Sequence, residues 1–486
     1  MPRRWLGKAF APPAVPRFPR FLAHNCGGMP VGSSAVNPDI FRAYDIRGVY
    51  GRDLSPEIME RIGNAFARRF VREKVVVGMD GRKSGPCLKE AFISGVRGAG
   101  KGVVDVGVVP RSACLFWGWT NNLPSAYITA SHLPKEWNGV KLARADGVDF
   151  FQRDIDVLKE EVLAGRFVAS RSEGRLSSAD SLTPYKEYLL AKVKRASRPL
   201  RVVVDCGNGT GGLLVPELFE QLGFSLTVLF GEVDGEFPNR PSEIEEKALD
   251  KLRAEVRRAD VGVAYDGDSD RMALMDERGR LLAAEAAAYV ILRELAREHP
   301  GPIVANVECL KVMEELAKRL GRTVCPTPVG NAFMVHAVRT QNACLGLERS
   351  GHFCIPSLLP IDDGIAASLY AASALSRCKE KLSALADSLP SFPFRRAKIA
   401  CEDSVKFRVM ERVGARLLAQ YENVCTLDGV RVGFAFGWVL IRASNTEPAI
   451  RLSVEAETEE ALCELEERFL NLLREEIDRA RGHPPP

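Results

Sequence analysis

Three times along the chain, a run of strand-forming residues gives way to a turn, a helical stretch and a second apolar run. The first runs are Val75-Val76-Val77-Gly78-Met79-Asp80, Val202-Val203-Val204-Asp205-Cys206-Gly207 and Ile303-Val304-Ala305-Asn306-Val307. None alternates strictly between apolar and polar positions, as expected of parallel strands covered on both faces. The second runs are Gly102-Val103-Val104-Asp105-Val106, Leu226-Thr227-Val228-Leu229 and Thr323-Val324-Cys325. This predicts βαβ order three times over.

Each unit has a further strand that runs into a polar loop. Ala126-Tyr127-Ile128-Thr129-Ala130 leads into Ser131-His132-Leu133-Pro134. Val261-Gly262-Val263-Ala264-Tyr265 leads into Asp266-Gly267-Asp268-Ser269-Asp270-Arg271, and Cys344-Leu345-Gly346-Leu347 into Glu348-Arg349-Ser350-Gly351-His352. Ligands of open α/β sheets gather at the carboxyl ends of strands, so three equivalent loops are expected to meet in one cleft.

From about Arg396 the repeat stops. A strand pair around Gly429 to Ile441 leads into Arg442-Ala443-Ser444-Asn445-Thr446-Glu447-Pro448, then a strand holding Arg451. A helix follows, with Leu462, Leu465, Phe469, Leu472, Leu473 and Ile477 on one face. The fold class predicted is α/β: three similar mixed α/β domains plus a C-terminal α+β domain around a central active-site cleft. The expected divisions are 39–182, 183–281, 282–394 and 395–486, preceded by a leader over 1–38. A chain of 486 residues is too long for one core and is expected to split in this way.

Charge changes the picture at one end only. The first 38 residues carry Arg3, Arg4, Lys8, Arg17 and Arg20 and no acid; setting these five aside takes the formal net charge from +4 to −1. The near-neutral remainder gives no argument for a nucleic-acid partner. The acid-free leader resembles an organelle transit peptide, plastid or mitochondrial, and without such an address the expected location is cytoplasmic. The longest apolar runs fall short of the roughly 18 residues that span a bilayer. The 12 cysteines are scattered, which suits small buried hydrophobes in a reducing compartment better than a zinc site.

The loops carry the chemistry. A serine at a strand end, Ser131, has its hydroxyl on a fixed backbone and suits a nucleophile or a phosphoryl carrier, with His132 and Lys141 near it in sequence; a helix-capping serine is the plainer alternative. Asp266, Asp268 and Asp270 place three hard oxygen donors in one turn, a repulsive cluster unless a divalent cation neutralises it. Gly267 permits the tight path, and Arg271 suits a substrate clamp. Glu348, Ser350 and His352 alternate, so on an extended loop they would point the same way and suit sugar hydroxyls; a helix start at Ser350 competes with this. Arg442, Ser444, Asn445, Thr446 and Arg451 have the composition of a phosphate cradle. Arg47 is able to reach an anionic ligand.

In this order, Tyr44-Asp45-Ile46-Arg47-Gly48, Thr129-Ala130-Ser131-His132, Asp266-Gly267-Asp268-Ser269-Asp270-Arg271, Glu348-Arg349-Ser350-Gly351-His352 and Arg442-Ala443-Ser444-Asn445-Thr446-Glu447-Pro448 resemble the motifs of the α-D-phosphohexomutase superfamily. The resemblance is closest to its phosphomannomutase/phosphoglucomutase branch and runs from about Phe41 to the end. It implies that Ser131 carries a phosphoryl group and that Mg²⁺ is held by that phosphate with Asp266, Asp268 and Asp270. Hexose 1-phosphate and hexose 6-phosphate would interconvert through a hexose 1,6-bisphosphate, which is also the expected activator. Arg47, Lys141 and His132 would steer the incoming hydroxyl and its proton. Tyr44, Arg271, Glu348, Ser350, His352, Arg442, Ser444, Asn445, Thr446 and Arg451 would bind substrate. Expected partners are small sugar phosphates, with neither nucleic acid nor membrane, in a monomer or weak dimer.

The sugar loop resembles the mannose or dual-specificity type, a form that glucosamine-phosphate mutases share. Four positions depart from the family pattern: Leu133, Leu347, Asn331 (where some members have a substrate-contacting His) and Glu308 (near a Lys of some bacterial members). They bear on substrate preference and rate. A phosphatase and a non-catalytic sugar-phosphate sensor are the alternatives from other classes.

Overall fold

The computed structural model describes residues 36–444 and 448–480. Most of the predicted leader, and Asn445 and Thr446, lie outside these residues.

The first sheet comprises β1 (Ile46–Val49), β2 (Lys74–Met79), β3 (Gly102–Val108), β4 (Ser125–Ile128), β5 (Trp137–Ala143) and β6 (Leu176–Ser178), in the order β1-β5-β4-β2-β3-β6. The second comprises β7 (Arg201–Asp205), β8 (Ser225–Leu229), β9 (Val261–Tyr265) and β10 (Met272–Asp276), in the order β10-β9-β7-β8. The third comprises β11 (Ile303–Asn306), β12 (Val324–Thr327), β13 (Leu345–Leu347) and β14 (Phe353–Cys354), in the order β12-β11-β13-β14.

One plan runs through all three. A central strand (β2, β7 or β11) pairs in parallel with two neighbours reached by helical crossovers, as parallel pairing requires. The last of those neighbours then turns back into an antiparallel strand: β4 into β5, β9 into β10 and β13 into β14. Those three turns are the three polar loops. The antiparallel partner is what apolar runs alone do not reveal, because Trp137–Ala143 and Met272–Asp276 mix polar with apolar residues and Phe353–Cys354 is only two residues long. The Tyr44–Gly48 segment, which the sequence leaves without an element, contributes β1 at the sheet edge, antiparallel to β5.

The fourth sheet is antiparallel: β15 (Phe394–Ala400), β16 (Val424–Cys425), β17 (Val430–Phe434), β18 (Gly437–Ala443) and β19 (Ala449–Ala456), in the order β15-β19-β18-β17-β16. The terminal helix, Glu459–Ala480, buries Leu462, Leu465, Phe469, Leu472, Leu473 and Ile477, the predicted apolar face. Each such side chain contributes roughly 1.5–3 kcal/mol when fully buried. Together with Val409, Val413 and Leu417 of helix Asp403–Gln420 and the inner face of the sheet, they form a core separate from the continuous one that runs through the first three sheets.

Candidate active site

Ser131 follows β4 in a turn that leads into β5, so it does not cap a helix. Its backbone is left-handed, with φ 52°, a conformation that costs a non-glycine residue on the order of 1–3 kcal/mol unless its surroundings impose it. The surroundings do so. Thr129 Oγ1 accepts from the Ser131 N–H at 2.7 Å and donates to Asp80 at 2.7 Å. The buried guanidinium of Arg82 donates to the carbonyls of Ser131 (2.7 Å), Leu133 (2.6 Å), Pro134 (2.6 Å) and Trp137 (3.1 Å). The result aims Ser131 Oγ at Asp266 Oδ2 (3.0 Å) and Asp268 Oδ1 (2.9 Å).

Asp266, Asp268 and Asp270 are fully buried, with one oxygen of each inside a sphere of metal-site size. Burial and the carboxylates of Asp268 and Asp270 push Asp266 well above the ordinary range. Burial and Asp270 push Asp268 upward too, but Lys141 and Arg111 outweigh them and hold it low; Asp270 is held low against burial by Lys141, His352 and Arg111. Lys141 Nζ reaches Asp268 at 3.1 Å and Asp270 at 2.7 Å. Asp270 Oδ1 is buried without a hydrogen-bond partner. Crowded hard oxygens with an unsatisfied acceptor among them fit a divalent cation, and these three aspartates with Ser131 Oγ would hold it.

A network the sequence reading misses supports this cluster from below. Arg111 donates to both oxygens of Asp149 (2.5 and 2.6 Å) and to Asp362 (3.0 Å), and lies 3.4 Å from Asp270. Asn331 donates to Asp149 (2.7 Å) and Asp362 (3.0 Å), so this departure from the family pattern serves as a bridge between two carboxylates. His352 Nδ1 is 3.0 Å from Asp362, and its Nε2 accepts from Arg271 at 2.9 Å. The signals were an arginine just past a strand (Val109-Pro110-Arg111) and the acid pair Asp362-Asp363 ahead of an apolar helix; neither has a spacing that announces a site.

The sugar loop corrects one expectation. Glu348, Ser350 and His352 do not alternate on extended backbone: residues 349–351 form a tight turn in which the Glu348 N–H donates to the His352 carbonyl at 3.0 Å. Gly351 takes φ 95°, and a Cβ there would lie 2.6 Å from the Met272 carbonyl, so only glycine lets this turn press on β10. The turn leads into β14 and not into a helix. Glu348 is fixed by Asn306 Nδ2 (3.1 Å) and the Gly330 N–H (2.7 Å).

The loops meet in a cavity of about 890 Å³ lined by Tyr44, Arg47, His132, Lys141, Arg271, Glu348, Ser350, His352, Arg442, Ser444 and Arg451. Arg47, buried, pairs with Asp45. Ser131 and the three aspartates lie behind that lining. Burial, with Arg271, Arg47 and Lys141 nearby, drives the His132 imidazolium well below its ordinary range. Glu243, which sequence reading passes over, faces both Arg271 (3.3 Å) and His132 (3.6 Å). At the far end, Arg442 stands opposite Arg451 on β18 and β19, and Arg451 opposite Lys398 on β15, so three cations share one row on one sheet face. Like charges directly opposite repel, which makes the row suited to an anion. Lys398 was legible only once the register was known. Glu308 also lines this end, accepting from Arg396 (2.6 Å) and Ser453 (2.9 Å).

A repeated α/β scaffold that gathers a buried serine hydroxyl, three carboxylates and a distant cation row around one cavity suits an enzyme that moves a phosphoryl group. Family models described as phosphoglucomutase/phosphomannomutase match most of the chain: alpha/beta/alpha domain I over residues 38–169, domain II over 183–279, domain III over 279–392 and the C-terminal domain over 398–472. The chain belongs to the phosphoglucomutase/phosphomannomutase family, whose members are intramolecular phosphotransferases. It is 34% identical over 451 residues to a probable phosphoglucosamine mutase of Methanopyrus kandleri, covering 91% of this chain and 99% of that one. With a phosphoglucomutase/phosphomannomutase of Thermococcus kodakarensis it shares 33% over 455 residues, covering 90% and 99%. A crystal structure of a phosphoglucomutase/phosphomannomutase family protein from Burkholderia thailandensis superposes with a TM-score of 0.82 at 29% identity, covering 93% and 99%.

Proposed function

We propose that the protein interconverts hexose 1-phosphate and hexose 6-phosphate, with mannose, glucose or both as the sugar, through a phosphoserine at Ser131 and a hexose 1,6-bisphosphate. The observation that carries this is Ser131 Oγ at 3.0 and 2.9 Å from two of three buried aspartates. In the first transfer the bond between phosphorus and Ser131 Oγ breaks, a bond from phosphorus to the free sugar hydroxyl forms, and the hydroxyl proton passes to a base lining the cavity. His132 lines the cavity and is kept neutral by its surroundings, which also make it a weak base, whereas Lys141 stays cationic between Asp268 and Asp270. The bisphosphate turns end for end, and the second transfer returns the other phosphoryl to Ser131.

Mg²⁺ is the ion this donor set fits, and when bound it would neutralise charge on the transferred phosphoryl. Arg442 and Arg451, with Lys398 beside them, grip the distal phosphate in either orientation, since phosphate oxygens look alike from both sugar faces. Glu348 and Ser350 read the ring hydroxyls, while His352, with its ring nitrogens engaged by Asp362 and Arg271, orients Arg271 beside them.

The test is a coupled assay of glucose 1-phosphate, mannose 1-phosphate and glucosamine 1-phosphate with a trace of hexose 1,6-bisphosphate, together with peptide mapping of phosphate. Turnover of either neutral sugar with phosphate on Ser131 supports the reading. Release of inorganic phosphate alone would make the protein a phosphatase. Preference for the amino sugar, the reaction named for the Methanopyrus relative, would move it to that branch.

A further inference from the structure

The three repeats share a feature that the function just proposed does not use. Where the central strand of each repeat ends stands a side chain that accepts from the backbone N–H two residues on. Asp80 Oδ1 accepts from Arg82 N at 3.0 Å, Asp205 Oδ1 from Gly207 N at 2.9 Å, and Asn306 Oδ1 from Glu308 N at 3.2 Å. All three side chains are buried at 0–1% exposure. The position is thus the same structural place three times, folded the same way.

At each place the side chain has capacity left over, and each spends it on the loop of its own repeat. Asp80 Oδ2 holds Arg82 Nε (3.1 Å) and Thr129 Oγ1 (2.7 Å), and Arg82 in turn binds four carbonyls of the Ser131 loop. Asp205 holds Arg240 Nε (2.9 Å); Arg240 donates to the carbonyl of Tyr265 (2.5 Å), the residue before Asp266, and to that of Pro241 (3.0 Å). Asn306 reaches its loop with no arginine between, donating 3.1 Å to the Glu348 carboxylate itself. A buried carbonyl or carboxylate bonded in this way cannot shift without leaving an unsatisfied polar group. The bonds therefore fix position as well as adding stability.

We propose that Asp80 with Arg82, Asp205 with Arg240, and Asn306 are positioning residues, each setting one loop: the first the phosphoryl-carrying serine, the second the cation-binding aspartates, the third the sugar-reading glutamate. Asn306 is the specificity-determining member, because it alone touches the group that meets the sugar ring. The choice of side chain follows from the loop served. An aspartate recruits an arginine to bind main-chain oxygens, while the acidic Glu348 requires an amide donor, and an aspartate in place of Asn306 would repel it.

A merely structural role predicts one signature for all three positions, and positioning predicts three different ones. Arg82→Lys, Arg240→Lys and Asn306→Ala are compared with the parent protein in three measurements: Mn²⁺ affinity by electron paramagnetic resonance, the ratio of glucose 6-phosphate to mannose 6-phosphate affinity by calorimetry, and the kcat and KM of mutase turnover. Arg82→Lys is expected to lower kcat at least about tenfold while KM and the sugar ratio hold; Mn²⁺, which loses at most its Ser131 oxygen, should weaken less than in Arg240→Lys. Arg240→Lys should weaken Mn²⁺ about tenfold and leave the sugar ratio alone. Asn306→Ala should move the sugar ratio about fivefold or more and leave Mn²⁺ unchanged. Should a variant fail to fold, Asp80→Asn, Asp205→Asn and Asn306→Asp keep the side-chain volume and carry the same expectations. Equal losses in all three measurements at every position, or a sugar ratio that Asn306 variants leave untouched, would overturn the proposal. This inference rests on the mutase reading only for its kinetic arm: if the parent protein turns over no hexose phosphate, that reading fails, while the two binding measurements still decide the roles of Arg240 and Asn306.

Discussion

The two ends of the cavity are built on different principles. The end that holds Ser131 and the three aspartates sits on a core continuous across the first three sheets, where Tyr185, Phe219, Tyr265, Phe353 and Ile365 belong to one apolar cluster. Its polar groups are buried and tied to one another across domains, as Arg111 is to Asp149, Asp270 and Asp362. The end that holds Arg442 and Arg451 belongs to a domain with a core of its own. Its attachments to the third sheet's domain are mostly polar: Arg396 and Ser453 to Glu308, Arg349 to Glu455 (2.9 Å), and the Val329 N–H to Asp428 (2.9 Å). Trp438, Leu440 and Phe394 supply the apolar share.

A shared close-packed core moves as a block, since interiors of that density do not deform continuously, whereas polar contacts at a domain boundary exchange for water at little net cost. On the proposed mutase reading, the chemistry that needs sub-ångström placement falls on the block and the binding that must release and recapture a ligand falls on the separable domain.

The contrast is broken most directly at Ser131. Ser131→Ala should abolish turnover while the melting temperature stays close to that of the parent, because the hydroxyl adds little to packing and the loop is held by Arg82. A variant that keeps near-parental rate, with phosphate on another residue, would remove Ser131 from the chemistry and the block from its role.

Asp268→Asn comes next. Losing one of three carboxylates that face the transferred group should lower kcat by about 10²-fold or more, with KM changed far less, since sugar-phosphate binding draws on the other end of the cavity. Titration of Mn²⁺ by electron paramagnetic resonance reads the same loss without turnover. Full activity in chelator would show that no cation acts here.

At the separable end the effects should be on binding. Arg442→Ala removes charged hydrogen bonds worth about 1.5–3 kcal/mol, so KM should rise roughly 10- to 100-fold for glucose 1-phosphate and mannose 1-phosphate alike. Glu348→Gln, on the block, should change the ratio between the two sugars. Measuring kcat/KM for both sugars in both variants decides the matter: strong discrimination by Arg442→Ala and none by Glu348→Gln would reverse the assigned roles.

This division also marks what a reader of the sequence alone is able to see. The three loops announce themselves because polar side chains cluster directly after apolar runs, and the central strands because they are too apolar for one-sided burial. What stays hidden is long-range pairing. Arg82, Arg111, Asp149 and Asp362 look like ordinary charged residues, and the two carboxylates that Arg111 donates to, Asp149 and Asp362, lie 38 and 251 positions from it. Lys398 joins the cation row only through the register of β15 with β19. The turn at Gly351 was hidden for a different reason: alternation of Glu348, Ser350 and His352 suggests extended backbone, and only the approach of Met272 makes a turn with left-handed glycine the better fold.

The smallest effect expected tests whether the block unfolds as one. Asp363 caps helix Gly364–Leu375 by accepting from the N–H groups of Ile365 and Ala366 (both 3.0 Å), and it also accepts from the Tyr185 hydroxyl at 2.6 Å, a residue of helix Leu182–Lys192 between the first and second sheets. Burial raises its carboxyl to about 6, against the bonds from Tyr185, Ala366 and Ser112, with Asp362 adding repulsion. The folded state thus holds a proton that the unfolded chain, near the ordinary carboxyl value of 3.8, gives up. Its contribution to stability is fully present below the unfolded value and is lost as pH rises through about 6. That loss is at most ~3 kcal/mol. Asp363→Asn keeps a capping side chain and removes the titration. The variant should therefore gain on the parent between about pH 4 and 6 and hold a constant difference above about pH 7. Urea midpoints of both proteins across that range are the measurement. If the block is one cooperative unit, the shift appears in the single transition of the first three sheets; a difference that is flat with pH, or confined to a minor early transition, would show that this helix opens apart from the floor of the cleft.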